Sequence, residues 1–202
     1  EKFRLSSYDL KMVEMCINTY HQLDQDTRKY FKENNISMKQ GATAVSAILH
    51  RNQLFVCNAG DARAVFCNGN EVVRLSRDHT PELSDEVKRV RDANGLVQEV
   101  KTDHDKYRVS QVFRTGGFGG TAVSRALGDF HLEPLITSTP HVVRVDLSSV
   151  LKNATTTTPF LIIACDGIWD VLSDVESCQI VARYTDPLQA SVALRDHAYL
   201  KG

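Results

Sequence analysis

The sequence predicts an α+β fold, an antiparallel β-sandwich with helices packed outside it. Three observations lead there. Short β-branched and aromatic runs follow one another between turn residues from Thr43 to Leu75. Asn68-Gly69, between two of these runs, is a strong hairpin signal. The well-punctuated helical segments lie around the strand cluster instead of alternating strictly with it. The 202 residues suit about one domain, and neither an internal repeat nor a clear boundary interrupts them.

In chain order, the first element is a long helix. Ser7 is its expected N-cap, and Val13, Cys16, Tyr20, Leu23 and Phe31 form a stripe at helical spacing. That stripe reads as one side of the core, and the helix should fade at Asn34-Asn35. Strands are expected over Thr43–Leu49, Leu54–Asn58, Arg63–Cys67 and Glu71–Leu75, with tight turns at Arg51-Asn52 and Asn68-Gly69. Thr80-Pro81 reads as the start of a second helix whose Leu83, Val87 and Val90 face inward, with Gly95 in the left-handed position after its end. The stretch from Gln98 to Gly120 mixes charges with a glycine tract and reads as a mobile surface excursion. No Lys-Ser/Thr pair follows the glycines, as a P-loop would require. Later strands are Thr121–Ser124, Val142–Val145 and Phe160–Ala164, and the threonine tract in 152–159 is a polar loop. Ser173-x-x-Glu176 is a capping box opening a third helix, and Asp186-Pro187 starts a fourth.

Composition excludes several classes of function. Lys+Arg is 24 and Asp+Glu is 25, so the net charge of −1 offers no basic face for nucleic acid. The longest apolar run, Phe160 to Cys165, is far short of the roughly 20 residues of a membrane span. No signal-peptide pattern opens the chain. The 5 cysteines have no C-x-x-C spacing, which suits reduced, mostly buried thiols better than disulfides or zinc. On these features the protein is expected inside a cell, in the cytoplasm or the nucleus.

The residues able to carry chemistry are acids at strand ends. In Phe160-Leu-Ile-Ile-Ala-Cys-Asp166-Gly, an apolar strand delivers a carboxylate and turns at once. Such an acid either caps a local turn through backbone amides or binds a hard divalent cation such as Mg²⁺ or Mn²⁺. Asp61 has the same placement after Gly60, with Arg63 able to pair with it or with a neighbouring carboxylate. Two strand-end carboxylates far apart in sequence together point to one metal pocket. Ser124 lacks a Gly-x-Ser-x-Gly elbow and a spaced histidine, which argues against a serine nucleophile. Arg125 and Asp129 read as a buried ion pair or as partners of backbone groups. His79 reads as a hydrogen-bonding residue at a strand-to-helix junction. The 7 histidines show no zinc-hydrolase spacing.

Five ordered motifs carry a resemblance. They are Gly41-Ala-Thr-Ala-Val, Asn58-Ala-Gly-Asp61-Ala-Arg-Ala-Val, Arg77-Asp-His-Thr-Pro81, Thr121-Ala-Val-Ser-Arg-Ala-Leu-Gly-Asp129 and Ala164-Cys-Asp-Gly-Ile-Trp-Asp-Val171. In this order they resemble the PPM family, the metal-dependent Ser/Thr protein phosphatases of the type 2C class. The resemblance implies two antiparallel sheets face to face with helices on both outer faces. It also implies hydrolysis of phosphoserine and phosphothreonine in phosphoprotein substrates at a binuclear Mn²⁺/Mg²⁺ centre, by a metal-bridging water. Asp166 matches an aspartate of the core metal pair. Asp61 matches one that, with the Asp166 equivalent, holds an accessory third metal. Asp170 matches a residue that lies near that site in the family and acts through water. Residues 92–120 match the variable flap linked to substrate choice.

The departures are terminal. The family's Asp-Gly-His-Gly-Gly motif, expected before the first helix, is absent, as are the upstream phosphate-binding arginine and the closing Asp-Asn motif. The chain therefore reads as a single phosphatase-like domain over 1–202, truncated at both ends. On this reading the fragment itself binds divalent ions at millimolar strength or weaker and has little activity. Its uncovered sheet edges predict a homodimer or a segment-swapped dimer. The competing reading is a pseudophosphatase scaffold that binds partner proteins without turnover.

Overall fold

The computed structural model describes residues 6–69, 71–101, 108–114, 120–151 and 158–202. The chain divides into two compact units, each assembled from three separate segments. The first comprises Glu1–Ala44, Asn58–Asp61 and Asp78–His141; the second comprises Val45–Cys57, Ala62–Arg77 and Val142–Gly202.

The second unit holds the sandwich. One sheet runs in the order β2 (Ala44–His50), β3 (Gln53–Ala59), β9 (His141–Asp146). The other runs β10 (Phe160–Ala164), β4 (Arg63–Cys67), β5 (Val72–Arg74), with antiparallel pairing throughout. Period-2 alternation sorts β4 between two cores. Ala64 and Phe66 pack with Leu54 and Val56 of β3 between the sheets. Val65 and Cys67 face the other way and join Trp169, Leu172, Cys178, Ile180, Leu194 and Ala198. Those last residues come from three helices and the loop between two of them: α4 (Asp166–Trp169), α5 (Asp174–Val181) and α6 (Pro187–Lys201); a one-turn helix, α3 (Leu147–Val150), follows β9. These helices thus cover the outer face of the β4 sheet. On β3, Phe55 and Cys57 are also fully buried, so that strand is covered on both faces.

Both late helices start as the sequence predicts. Ser173 and Glu176 form a reciprocal capping box, and the Asp186 side chain accepts from Leu188 N and Gln189 N with Pro187 opening the helix. Four cysteines are buried and Cys165 is exposed, all of them free. Burial pushes the Cys178 thiol up to about 12, which leaves it inert.

The first unit is built on α1 (Ser7–Glu33). Its N-cap is Ser6, one residue before the expected Ser7, because Asp9 three residues on completes a capping box with Ser6. Cys16 and Tyr20 are buried as expected, whereas Leu23 is 49% exposed. The inward position near it goes to Asp24, whose carboxylate accepts from Gly128 N. Phe31 meets Phe130 edge to face, and the helix ends at Asn34-Asn35 with Asn35 at φ 55°. Short β1 (Gly41–Ala42) pairs with β8 (Leu127–Gly128). The second helix, α2 (Ser84–Asp92), begins after Thr80-Pro81, with Leu83 as N-cap. The backbone at 79–81 is held elsewhere: His79 N–H bonds Gly60 O, and Thr80 O accepts Leu83 N–H. Asn94, not Gly95, takes the left-handed position after the helix.

The stretch read as an irregular excursion contains a regular ribbon. β6 (Gly95–Lys101) and β7 (Arg108–Arg114) pair antiparallel over seven positions. Residues 102–107 and 115–119 of the expected flap lie outside the described residues, as do 152–157 of the threonine loop. The expected strand Thr121–Ser124 is reduced to a single bridge between Thr121 and Val112. At the Asn68-Gly69 turn only Gly69 has positive φ; Asn68 is buried and its side chain accepts from Glu71 N instead. Among the described residues no helix is long and apolar enough to cross a membrane.

Candidate metal centre

Asp61 stands in the first unit, at the corner between β3 and β4. Gly60 makes that corner at φ +107°, and a Cβ there would lie 2.4 Å from Thr43 Cγ2. No other residue fits without strain. Three hydrogen bonds then fix the bend. His79 N–H donates to Gly60 O at 2.9 Å, Asn58 Nδ2 donates to the same carbonyl at 3.2 Å, and Gly60 N–H donates to His79 Nδ1 at 3.3 Å. Asn58 and His79 are fully buried, and Asp61 is half-buried. Burial, reinforced by the positive charge of Arg125, pushes the His79 imidazole down to about 4, so it is neutral near pH 7.

A charged cluster holds His79 in turn. Its carbonyl accepts Ser124 N–H at 2.8 Å. Ser124 Oγ donates to Glu86 Oε2 at 2.7 Å, and Glu86 pairs with Arg89 at 2.9 Å and with Arg125 at 2.6 Å. Both guanidinium groups also donate to carbonyls: Arg89 to Ser124 and Leu135, Arg125 to Thr139. Burial alone would raise the Glu86 carboxyl. Hydrogen bonds from Arg125, Arg89 and Ser124 overcome it and hold the group at about 2. The arginine therefore pairs with Glu86, not Asp129, and Ser124 is a buried hydrogen-bonding residue, not a nucleophile. Glu86 went unnoticed in the sequence. An acid between Leu83 and Val90 on an inward helix face is the signal that could have found it.

Asp166 and Asp170 stand in the second unit, where β10 runs into α4. The strand's pairing register, Ala164 opposite Arg63, carries the chain to the edge of the sandwich. The acid is exposed, not buried at a strand end as its apolar neighbours suggest, and Asp170 is exposed as well. Asp166 Oδ1 accepts from Gly167 N at 2.8 Å, and Asp166 O accepts from Asp170 N at 2.8 Å, so both acids share one helical turn. Trp169 anchors that turn. It is 7% exposed within the helix-facing core, and its Nε1 donates to Ala164 O at 2.9 Å. The Arg63 guanidinium lies 5.1 Å from the Trp169 ring centroid and pairs with Asp174 at 2.6 Å. Arg74 pairs with the same carboxylate at 2.8 Å. Arg63 thus pairs with a neighbouring carboxylate, one of the two kinds of partner left open by the sequence.

Three carboxylates are the hard-oxygen donor type that Mg²⁺ and Mn²⁺ take. They fit the ion in type and fall short of it in number. Among the described residues, no group of three or more His, Cys, Asp or Glu side chains is gathered as a metal cage.

A family model for protein phosphatase 2C matches residues 2–202. The chain belongs to the protein phosphatase 2C family. "Probable protein phosphatase 2C 59" of Arabidopsis thaliana is 36% identical over 185 residues, which cover 92% of this chain and 53% of that protein. "Probable protein phosphatase 2C 45" of Oryza sativa subsp. japonica is 35% identical over 202 residues, covering 98% and 65%. The chain spans about half the length of most of the curated relatives it resembles. Among solved structures, serine-threonine phosphatase 2C from Toxoplasma gondii superposes with a TM-score of 0.74 at 20% identity, over 98% of this chain and 66% of that one. A C. elegans sex determining protein gives 0.73 at 22% identity, over 92% and 43%. At these identities the two structures establish the protein phosphatase 2C fold.

Proposed function

We propose that the protein containing this domain is a metal-dependent Ser/Thr protein phosphatase, with phosphoproteins as substrates. The observation that carries this reading is the family match across 2–202. Asp166 and Asp61 would hold its Mn²⁺ or Mg²⁺ ions as carboxylate ligands and Asp170 would act on them through water, with further ligands completing each coordination shell. The bound ions would activate water and neutralise phosphoryl oxygens. What this chain supplies is the placement of acids: Gly60 and His79 shape the Asp61 corner, and Trp169 pins the turn bearing Asp166 and Asp170.

The test is phosphate release from a phosphothreonine peptide by the full-length protein, with Mn²⁺ titrated in. Activity should require Mn²⁺, and Asp166→Asn should lower it by roughly 100-fold or more. Turnover that persists in excess chelator, or that survives Asp166→Asn, would refute the reading. Retained Mn²⁺ binding with no turnover would favour a non-catalytic scaffold instead.

A further inference from the structure

We propose that His79 is the positioning residue of the Asp61 corner, acting through its Nδ1 on the backbone of Gly60. This rests on the reading of Asp61 as a metal ligand. His79 is fully buried, and it grips Gly60 through both its backbone and its ring. Its N–H bonds the Gly60 carbonyl at 2.9 Å, and its Nδ1 receives the Gly60 N–H at 3.3 Å.

Among the described residues, Nδ1 carries the polar contacts of the ring. It lies 3.2 Å from Gly60 O, 3.3 Å from Gly60 N and 3.4 Å from Asn58 Nδ2. Nε2 finds no hydrogen-bond partner among the described residues, so the useful atom of this ring is Nδ1. The ring is also kept from moving. Ser124 N–H holds the His79 carbonyl, and Ser124 is held in turn by Glu86 and its two arginines. Gly60 cannot carry a side chain that would stiffen the bend, because Thr43 occupies that space. The stiffness of the corner has to come from outside the loop, and His79 supplies it.

Two substitutions separate this role from simple space-filling. Asn places a polar atom near the position of Nδ1, whereas Gln reaches toward the position of Nε2 and comes closer to histidine in volume. A positioning role predicts that His79→Asn outperforms His79→Gln; a packing role predicts the reverse. In calorimetric titration of the full-length protein with Mn²⁺ alone, His79→Gln should weaken binding at the Asp61 site roughly tenfold, with His79→Asn within about threefold of wild type. Asp61→Asn, run alongside, should weaken the same site at least as much. Gln binding as tightly as Asn overturns the positioning role. Wild-type Mn²⁺ binding by Asp61→Asn overturns the ligand reading, and the functional meaning of the corner with it.

Amide hydrogen exchange on the metal-free protein tests the His79–Gly60 tie without any ion. The Gly60 N–H should stay protected in His79→Asn and exchange at least about tenfold faster in His79→Gln. Equal protection in both overturns the tie. If His79→Gln does not fold, wild type and His79→Asn decide the matter. A protected Gly60 N–H in His79→Asn upholds the role of Nδ1, and lost protection overturns it.

Discussion

Gly60 precedes Asp61 and Gly167 follows Asp166, yet the two backbones treat a side chain differently. Gly60 sits at φ +107°, and a Cβ on it would meet Thr43 atoms at 2.4 Å and 2.5 Å. Gly167 lies within a helical turn, and its nearest neighbour, Cys165 Sγ, would be 3.7 Å away. Around Asp61 the corner is imposed by a glycine, a neutral histidine and a buried charge cluster. Around Asp166 the turn is imposed by an aromatic anchor in an apolar core. Two acids that look alike in sequence, each beside a glycine at a strand end, are thus held by different physics. One depends on polar groups being satisfied, the other on apolar burial.

The largest effect should come from Gly60→Ala. Strain at positive φ and the clash with Thr43 together should remove about 3 kcal/mol or more, read as a lower urea midpoint. Glu86→Gln should remove about 3 kcal/mol in the same assay, because it leaves Arg89 and Arg125 without their counter-charge. A loss below about 1 kcal/mol would show that the cluster supports the corner weakly.

Acid should strike the polar corner next. The folded His79 binds its proton near pH 4, whereas the unfolded one does so at 6.5. Between those values the unfolded state holds the extra proton, so stability falls as pH falls, by about 2 kcal/mol at pH 5 relative to neutrality. Glu86 adds a second loss that starts near 4.5 and is complete near 2, as its carboxylate is protonated. Urea melts at pH 7, 6 and 5 should show the first loss, and His79→Asn should flatten it. The smallest effect, of opposite sign, belongs to Gly167→Ala. With an open Cβ site in a helical turn it should be neutral or stabilising by up to about 1 kcal/mol.

The strands of the sandwich were legible because burial wrote itself into β-branched alternation; β4 and β10 have the expected bounds. The late helices were legible because Ser173-x-x-Glu176 and Asp186-Pro187 are local signals that satisfy local groups. The start of α2 was not, since Thr80-Pro81 offers the same local signal while the contacts of His79 hold that backbone elsewhere. The β6–β7 ribbon was hidden by charges, which a two-stranded ribbon tolerates and a buried strand does not. At the site, Asp61 and Asp166 were legible as strand-end acids, whereas Asp170 entered only through the family resemblance. The exposure of Asp166 was not, because the apolar run before it says nothing about where the sheet ends. Nor was the grip of Glu86 on Arg125, which joins residues 39 apart in sequence.

Trp169 is the one tryptophan of this chain. Light absorbed at the red edge of the ultraviolet band is therefore emitted from a single place, the turn that bears Asp166 and Asp170. The cation over its ring and the carbonyl on its indole N–H set the colour of that emission. An ion arriving at either acid changes the local field, so the domain carries a built-in fluorescent gauge of that turn.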